Sequence, residues 1–159
     1  MEPRKRFAPR TEACLGRQVG RHSAPVGTVR GLLVGAADKI AATRALESAI
    51  AMQRAFDEWN QGVVGAQGLA PLHVRIGLNA GEPIAEDDPD GRSDLFGTAV
   101  NRAARITATA KGGEILVANV VRELAEGKDF LFADRGEANL KGFDEPVRLF
   151  VVMWREESE

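Results

Sequence analysis

The sequence predicts an α/β fold in which helices cover a mixed sheet, and three patterns carry that expectation. Apolar residues recur at helical spacing from Asp38 to Trp59. Leu72, Val74, Ile76 and Leu78 then alternate with His73, Arg75, Gly77 and Asn79, the period of a strand with one buried face. From Phe130 onward, short runs of strand-forming residues separated by glycine turns read as hairpins. Strands that alternate with helices and close in hairpins call for a mixed sheet.

Residues 1 to 30 carry seven Lys or Arg against Glu2 and Glu12, with scattered Pro and Gly and no apolar period. Residues 1–37 are therefore expected to be a basic arm, and residues 38–159 the folded part. Gly31 to Ala37 is a short apolar run and a strand candidate weakened by its glycines. The helix that follows presents Ile40, Leu46, Ala49, Ile50, Met52, Ala55 and Phe56, and Asn60-Gln-Gly62 is its expected stop. Three glycines and a proline make residues 62–71 a loop.

After the strand at 72–78, Gly81 interrupts and Glu82 to Glu86 continues as a bent strand. Glu86-Asp-Asp-Pro-Asp-Gly91 has the chemistry of an acidic turn. A helix is expected over about 97 to 110, ended by Lys111-Gly-Gly113, with a short strand at Glu114 to Val117. Asn119 is the expected cap of a helix to Leu124 that Gly127 ends. Phe130 to Ala133 and Ala138 to Leu140 read as two short strands. Lys141 to Glu145 reads as a turn and Val147 to Val152 as the closing strand.

Composition narrows the function classes. Of 159 residues, 44% are hydrophobic and 28% charged, ordinary values for one globular domain with a modest core, or for part of one. The net charge of −2 gives no general reason to expect a nucleic-acid binder. The basic arm keeps one such alternative open, a partner that is nucleic acid or anionic lipid. No apolar run approaches the roughly 20 residues of a membrane span, and the N-terminus lacks the apolar core of a secretory signal. Cys14 is the only cysteine, which excludes an internal disulfide and makes a reducing, cytoplasmic setting the expectation. With Cys14, the two histidines His22 and His73 fall short of the usual ligand set of a zinc site.

The stretch with most chemical content is Asp94-Leu-Phe-Gly-Thr-Ala-Val-Asn101-Arg-Ala-Ala-Arg105. It runs from an acidic turn into a helix and sets an amide and a guanidinium four residues apart, one above the other on a single face. Val100, Ala103, Ala104 and Thr107 are expected to form a small-residue stripe lying on a sheet. Two exposed donors at the rim of such a helix suit phosphate charge and a ribose oxygen.

Five segments in order give this chain a family resemblance. They are the helix Ala45-Leu-Glu-Ser-Ala-Ile-Ala-Met-Gln-Arg-Ala-Phe56, His73-Val-Arg-Ile-Gly-Leu-Asn-Ala-Gly81, Asp94 to Arg105, Gly112-Gly-Glu-Ile-Leu-Val117, and Gly136-Glu-Ala-Asn-Leu-Lys-Gly142 with the strand after Pro146. From about Thr43 to Trp154 the chain resembles a class III nucleotidyl cyclase catalytic domain. That resemblance implies a ferredoxin-like α+β sandwich, incomplete at its N-terminal part. It further implies conversion of ATP to 3',5'-cyclic AMP and pyrophosphate in intracellular signalling, with Mg²⁺ or Mn²⁺ as cofactor. The implied assembly is a homodimer, or a heterodimer with another cyclase domain.

Position by position, the resemblance places Asp94 where the base is read and Asn101 where the ribose is oriented. Arg105 falls where transition-state charge is stabilised, and Lys141 where triphosphate oxygens are reached. Gly81 and Gly97 match glycines better suited to close packing than to binding. The family also takes two metal-binding aspartates from the N-terminal half, but no aspartate precedes Asp38, and Glu2 and Glu12 are poor substitutes. No metal ligand is therefore assigned, and Lys39 lies too close to the helix to be the base-reading lysine.

The abrupt start of the match is what a truncated or frame-shifted copy would give, an expectation that the gene's DNA sequence tests through the codons of Arg30-Gly31-Leu32. The chain is expected to be inactive alone. The alternative of another class is a non-catalytic module that dimerises with a complete cyclase and modulates it.

Overall fold

The computed structural model describes residues 38–82, 84–87 and 93–155. The arm and the strand candidate at Gly31 to Ala37 lie outside these residues.

The chain enters helix α1, Lys39–Trp59, through Asp38, whose carboxylate accepts from the Ala41 backbone N–H at 2.7 Å. Leu46 and Ala49 are its fully buried contacts. Gln53 is also buried and donates from Nε2 to the carbonyls of Val74 at 2.9 Å and Glu114 at 3.2 Å. One amide thus satisfies two strand-end carbonyls at once.

The expected stop at Asn60-Gln-Gly62 does not occur. A π-turn, Asn60–Val64, carries the helix into α2, Gly65–Gln67, and the end comes at Gly68 with φ 66. Asn60 does not break the helix because its side chain is used elsewhere. Its amide donates to the Leu72 carbonyl and accepts from the Leu72 N–H, both at 2.8 Å.

Seven-residue alternation is visible in burial from Leu72 to Leu78, but only Ile76–Leu78 (β1) pairs as a strand. Next comes a hairpin of β2, Ile84–Asp87, and β3, Ser93–Phe96. Asp87 therefore belongs to a strand where a turn is expected, Glu86 is strand as the bent-strand reading has it, and the strand begins at Ile84 and not at Glu82. Helix α3 is Thr98–Thr109, strand β4 Ile115–Ala118 and helix α4 Asn119–Leu124. Asn119 is inside α4, after an Ala118 cap, and its side chain bonds Glu123 and Arg122 along the helix.

The two short strands expected between Phe130 and Leu140 are one, β5, Leu131–Ala138. A bulge between Asp134 and Gly136 supplies the irregularity that split them in the sequence, with Gly136 at φ 84. Asp134 Oδ1 accepts from the Gly136 N–H at 2.9 Å, and its other oxygen pairs with Arg148 across the ladder. The Arg148 guanidinium, then the Gly136 N–H, hold this carboxyl below the usual aspartate range. Strand β6, Val147–Met153, closes the chain.

The main sheet has the order β1-β4-β6-β5. β1 runs parallel to β4 with Ile76 opposite Ile115, and the other two pairings are antiparallel. Period-two alternation divides the core. Ile115, Val117, Phe150 and Val152 face Leu46 and Ala49 of α1 and Val121 of α4. Leu116, Ala118 and Leu149 face Ile106 and Ala110 of α3 together with Leu140.

α3 comes close to β1 because Gly77 and Gly81 lack side chains. A Cβ on Gly77 would lie 2.5 Å from the Thr107 backbone N, and one on Gly81 would lie 2.6 Å from the Ala99 Cβ. The backbone of α3 blocks relief at Gly77, so Gly77→Ala is expected to destabilise the fold by about 1–3 kcal/mol through overpacking. A thermal unfolding midpoint equal to wild type would refute this.

Candidate active site

α3 has two opposed faces. Ala99, Ala103, Ile106, Thr107 and Ala110 recur at three- and four-residue steps, and Ala99 and Thr107 are the contacts at Gly81 and Gly77. At 3.6 residues per turn, Asn101 and Arg105 project from nearly the opposite side of the helix, and both are exposed. The expected stripe needs one correction. Ala104 is exposed and Val100 only half-buried, whereas Ile106, left out of that stripe, is fully buried. The stripe is centred a step away because the sheet meets α3 through the two glycines.

Asp94 lies in strand β3, directly across the ladder from Glu86, and not in an acidic turn. Gly97 turns the corner from β3 into α3 with φ 120, a conformation that disfavours a side chain. The seven-residue step from Asp94 to Asn101 thus crosses from a strand to the second turn of a helix, so the base-reading candidate precedes the helix by the Gly97 corner.

Lys141 is exposed on a turn that packs against α3. Leu140 is 4% exposed and joins Ile106 and Ala110 in one cluster, to which Phe143 adds its ring. The Phe143 N–H donates to the Leu140 carbonyl at 3.0 Å, and Gly142 has φ 88. The guanidinium carbon of Arg102 lies 5.0 Å from the centre of the Phe143 ring. Asn101 and Arg105 are therefore carried by one helix, and Lys141 by a turn fixed to that helix.

Two residues beside the site had no signal in the sequence. Arg102 sits between two candidate residues, but its partner Phe143 is 41 positions away and no periodicity links them. Asn79, at the end of β1, donates to the Ala99 carbonyl at 3.0 Å and ties the strand to the first turn of α3. Its Oδ1 is buried without a hydrogen-bond partner among the described residues.

The metal that the resemblance implies does not fit the donors in view. Among the described residues no group of three or more His, Cys, Asp or Glu is placed to hold an ion. A cavity of about 610 Å³ lies on the α1 side of the sheet, between Glu47, Ile50 and Arg54 and the strand ends at Phe130, Leu131 and Trp154. None of the candidate residues lines it. No helix among the described residues is long and apolar enough to cross a membrane.

Comparison with known proteins places this geometry in a family. The model of the "Adenylate and Guanylate cyclase catalytic domain" matches residues 28–153, a span that begins upstream of the Thr43 at which the sequence motifs start. The chain is 34% identical over 110 residues to "Putative adenylate cyclase 3" of Rhizobium meliloti (strain 1021), covering 69% of this chain and 17% of that protein. It is 51% identical over 55 residues to an adenylate cyclase of Mycosarcoma maydis, covering 33% of this chain and 2% of that protein. The chain thus spans only a small part of these curated relatives.

Among solved structures, the adenylyl cyclase CyaB from P. aeruginosa superposes with a TM-score of 0.67 at 29% identity, covering 79% of this chain and 64% of that one. The guanylyl cyclase Cya2 gives 0.63 at 32% identity, covering 72% and 59%. One similar structure is an adenylyl and the other a guanylyl cyclase, so overall likeness does not choose the base.

Proposed function

This chain belongs to the adenylate and guanylate cyclase catalytic domain family, and we propose that it supplies one half of a composite ATP-cyclising site. In this reading Asn101 orients the ribose, Arg105 carries the charge that develops on the α-phosphate, and Lys141 contacts the terminal phosphates. Asp94 accepts from the adenine amino group. The metal-binding half, for Mg²⁺ or Mn²⁺, comes from a partner cyclase domain in a heterodimer. The observation that carries the reading is α3 itself: one face is locked onto the sheet through Gly77 and Gly81, and the other offers Asn101 and Arg105 to solvent.

Intramolecular attack by the ribose 3'-oxygen on the α-phosphorus demands positioning and charge stabilisation more than covalent chemistry. An amide on a rigid helix can hold the ribose so that the 3'-oxygen lines up with the α-phosphorus. A guanidinium one turn further on offers a planar fork of donors to the phosphate oxygens. Neither group needs to change protonation state for these tasks.

The test is complementation. The full chain is mixed with a complete adenylyl cyclase whose own Asn and Arg at these places have been replaced, and cyclic AMP is measured. Recovery of product supports the composite site. A silent mixture in which the two chains nevertheless co-purify would favour the modulating module instead.

Base choice is read in the same assay. Removing one charged hydrogen-bond acceptor changes discrimination by about 1.5–3 kcal/mol, so Asp94→Ala is expected to lower the preference for ATP over GTP by about 10- to 100-fold. An unchanged ratio would remove Asp94 from the site.

A further inference from the structure

We propose that Arg102, stacked on Phe143, is a positioning residue that holds the Lys141 turn against α3, so that Lys141, Asn101 and Arg105 engage one polyphosphate together. The proposal rests on the composite-site reading and adds to it a residue that itself touches no substrate.

The turn is fastened at two points. Leu140 is buried against Ile106 and Ala110, and Phe143 returns its N–H to the Leu140 carbonyl at 3.0 Å. Lys141 and Gly142, both exposed, lie between these fastenings, with Gly142 at φ 88. The Phe143 ring is only half-buried, so apolar packing alone fixes its far side weakly. The Arg102 guanidinium covers that ring at 5.0 Å.

Two features set this contact apart from ordinary packing. First, Arg102 Nε is buried with no hydrogen-bond partner among the described residues. Burying an unpaired donor costs stability, so the guanidinium stays over the ring against that cost. Second, Arg102 lies about a quarter of a turn around α3 from Asn101, between the packed face and the exposed ridge. The contact therefore spans the gap between the helix carrying two candidate residues and the turn carrying the third. A lysine side chain gives up much rotamer freedom when it meets a phosphate, and a turn held in place leaves less motion to be lost.

The experiment is an NMR titration of the ¹⁵N-labelled full chain with pyrophosphate, followed residue by residue. In wild type, the signals of Asn101, Arg105, Lys141 and Gly142 are expected to move along one saturation curve. In Arg102→Met the α3 signals should still move, while those of Lys141 and Gly142 lose most of their shift and the affinity falls about three- to tenfold. Arg102→Lys, which keeps a cation over the ring, should restore the coupled response. Phe143→Leu should reproduce the methionine variant, which keeps the test open if Arg102→Met does not fold.

Lys141 and Gly142 signals that move in Arg102→Met as in wild type would overturn the positioning role. Wild-type shifts confined to α3 would also overturn it and leave the α3 site standing. No shift anywhere in wild type would overturn the phosphate site and the positioning role together.

Discussion

Purified alone, the 159-residue chain is expected to make no cyclic AMP above background from ATP with either Mg²⁺ or Mn²⁺. A nucleoside triphosphate near neutral pH carries about four negative charges, and its cyclisation moves further charge onto the departing pyrophosphate. Against that, the proposed half-site offers the cations of Arg105 and Lys141 and the neutral amide of Asn101. Upstream of Asp38 the only acidic residues are Glu2 and Glu12, ten positions apart in an unpatterned basic segment.

The shortfall is large on the scale of catalysis. Each 1.4 kcal/mol of missing transition-state stabilisation is tenfold in rate, and a divalent ion on the phosphates supplies several kcal/mol. Two missing contributions of that size put the rate below a practical assay. Cyclic AMP accumulation by the isolated chain with Mn²⁺, removed by Arg105→Ala, would show that ligands exist in positions the sequence does not reveal.

The fold was largely legible because its signals are periodic. Alternation at Leu72 to Leu78 marks the buried face. The helical recurrence does so at Leu46 and Ala49 but not at Ile40, Met52 and Ala55, which are exposed, while the buried Gln53 lies outside it. Errors cluster where a side chain does something local composition cannot announce. Asn60 looks like a helix stop, yet its amide is engaged by Leu72, twelve residues on. Gly136 looks like a strand end, yet it forms a bulge within one strand. The first strand of the β2–β3 pair is legible as the bent strand ending at Glu86, whereas β3 is not, because Asp94 has turn chemistry that strand pairing outweighs here.

The geometry of the candidate site was legible in part for the same reason. Asn101 and Arg105 are four residues apart, a spacing that a helix converts directly into a shared face. Asp94 and Lys141 came from resemblance, and their placement on β3 and on the Leu140–Phe143 turn depends on tertiary packing. Arg102 was invisible because its role depends on an aromatic ring brought to it by the closing hairpin.

The sharpest discrimination comes from Arg105 in the complementation assay. If the wild-type chain restores cyclic AMP synthesis to a partner cyclase lacking its own Asn and Arg, Arg105→Ala is expected to reduce the restored rate by about 10²- to 10³-fold. That is the loss found when one preorganised donor is taken from developing negative charge. The loss should fall mainly on kcat, because the group acts on charge that is greater in the transition state than in bound ATP. Arg105→Lys should recover only part of it: the ammonium keeps the charge but not the planar fork.

The exposed Arg44 on α1 serves as a control, since it lies across the sheet from α3, and Arg44→Ala should leave the restored rate unchanged. Thermal midpoints of both alanine variants are expected to match wild type, because an exposed helix position loses little when truncated to the best helix former. Equal rates for Arg105→Ala and wild type would remove the guanidinium from the chemistry. Asn101 and Arg105 would then be two solvated residues on an amphipathic helix, and the chain a cyclase-like module whose effect on its partner is exerted through its surface.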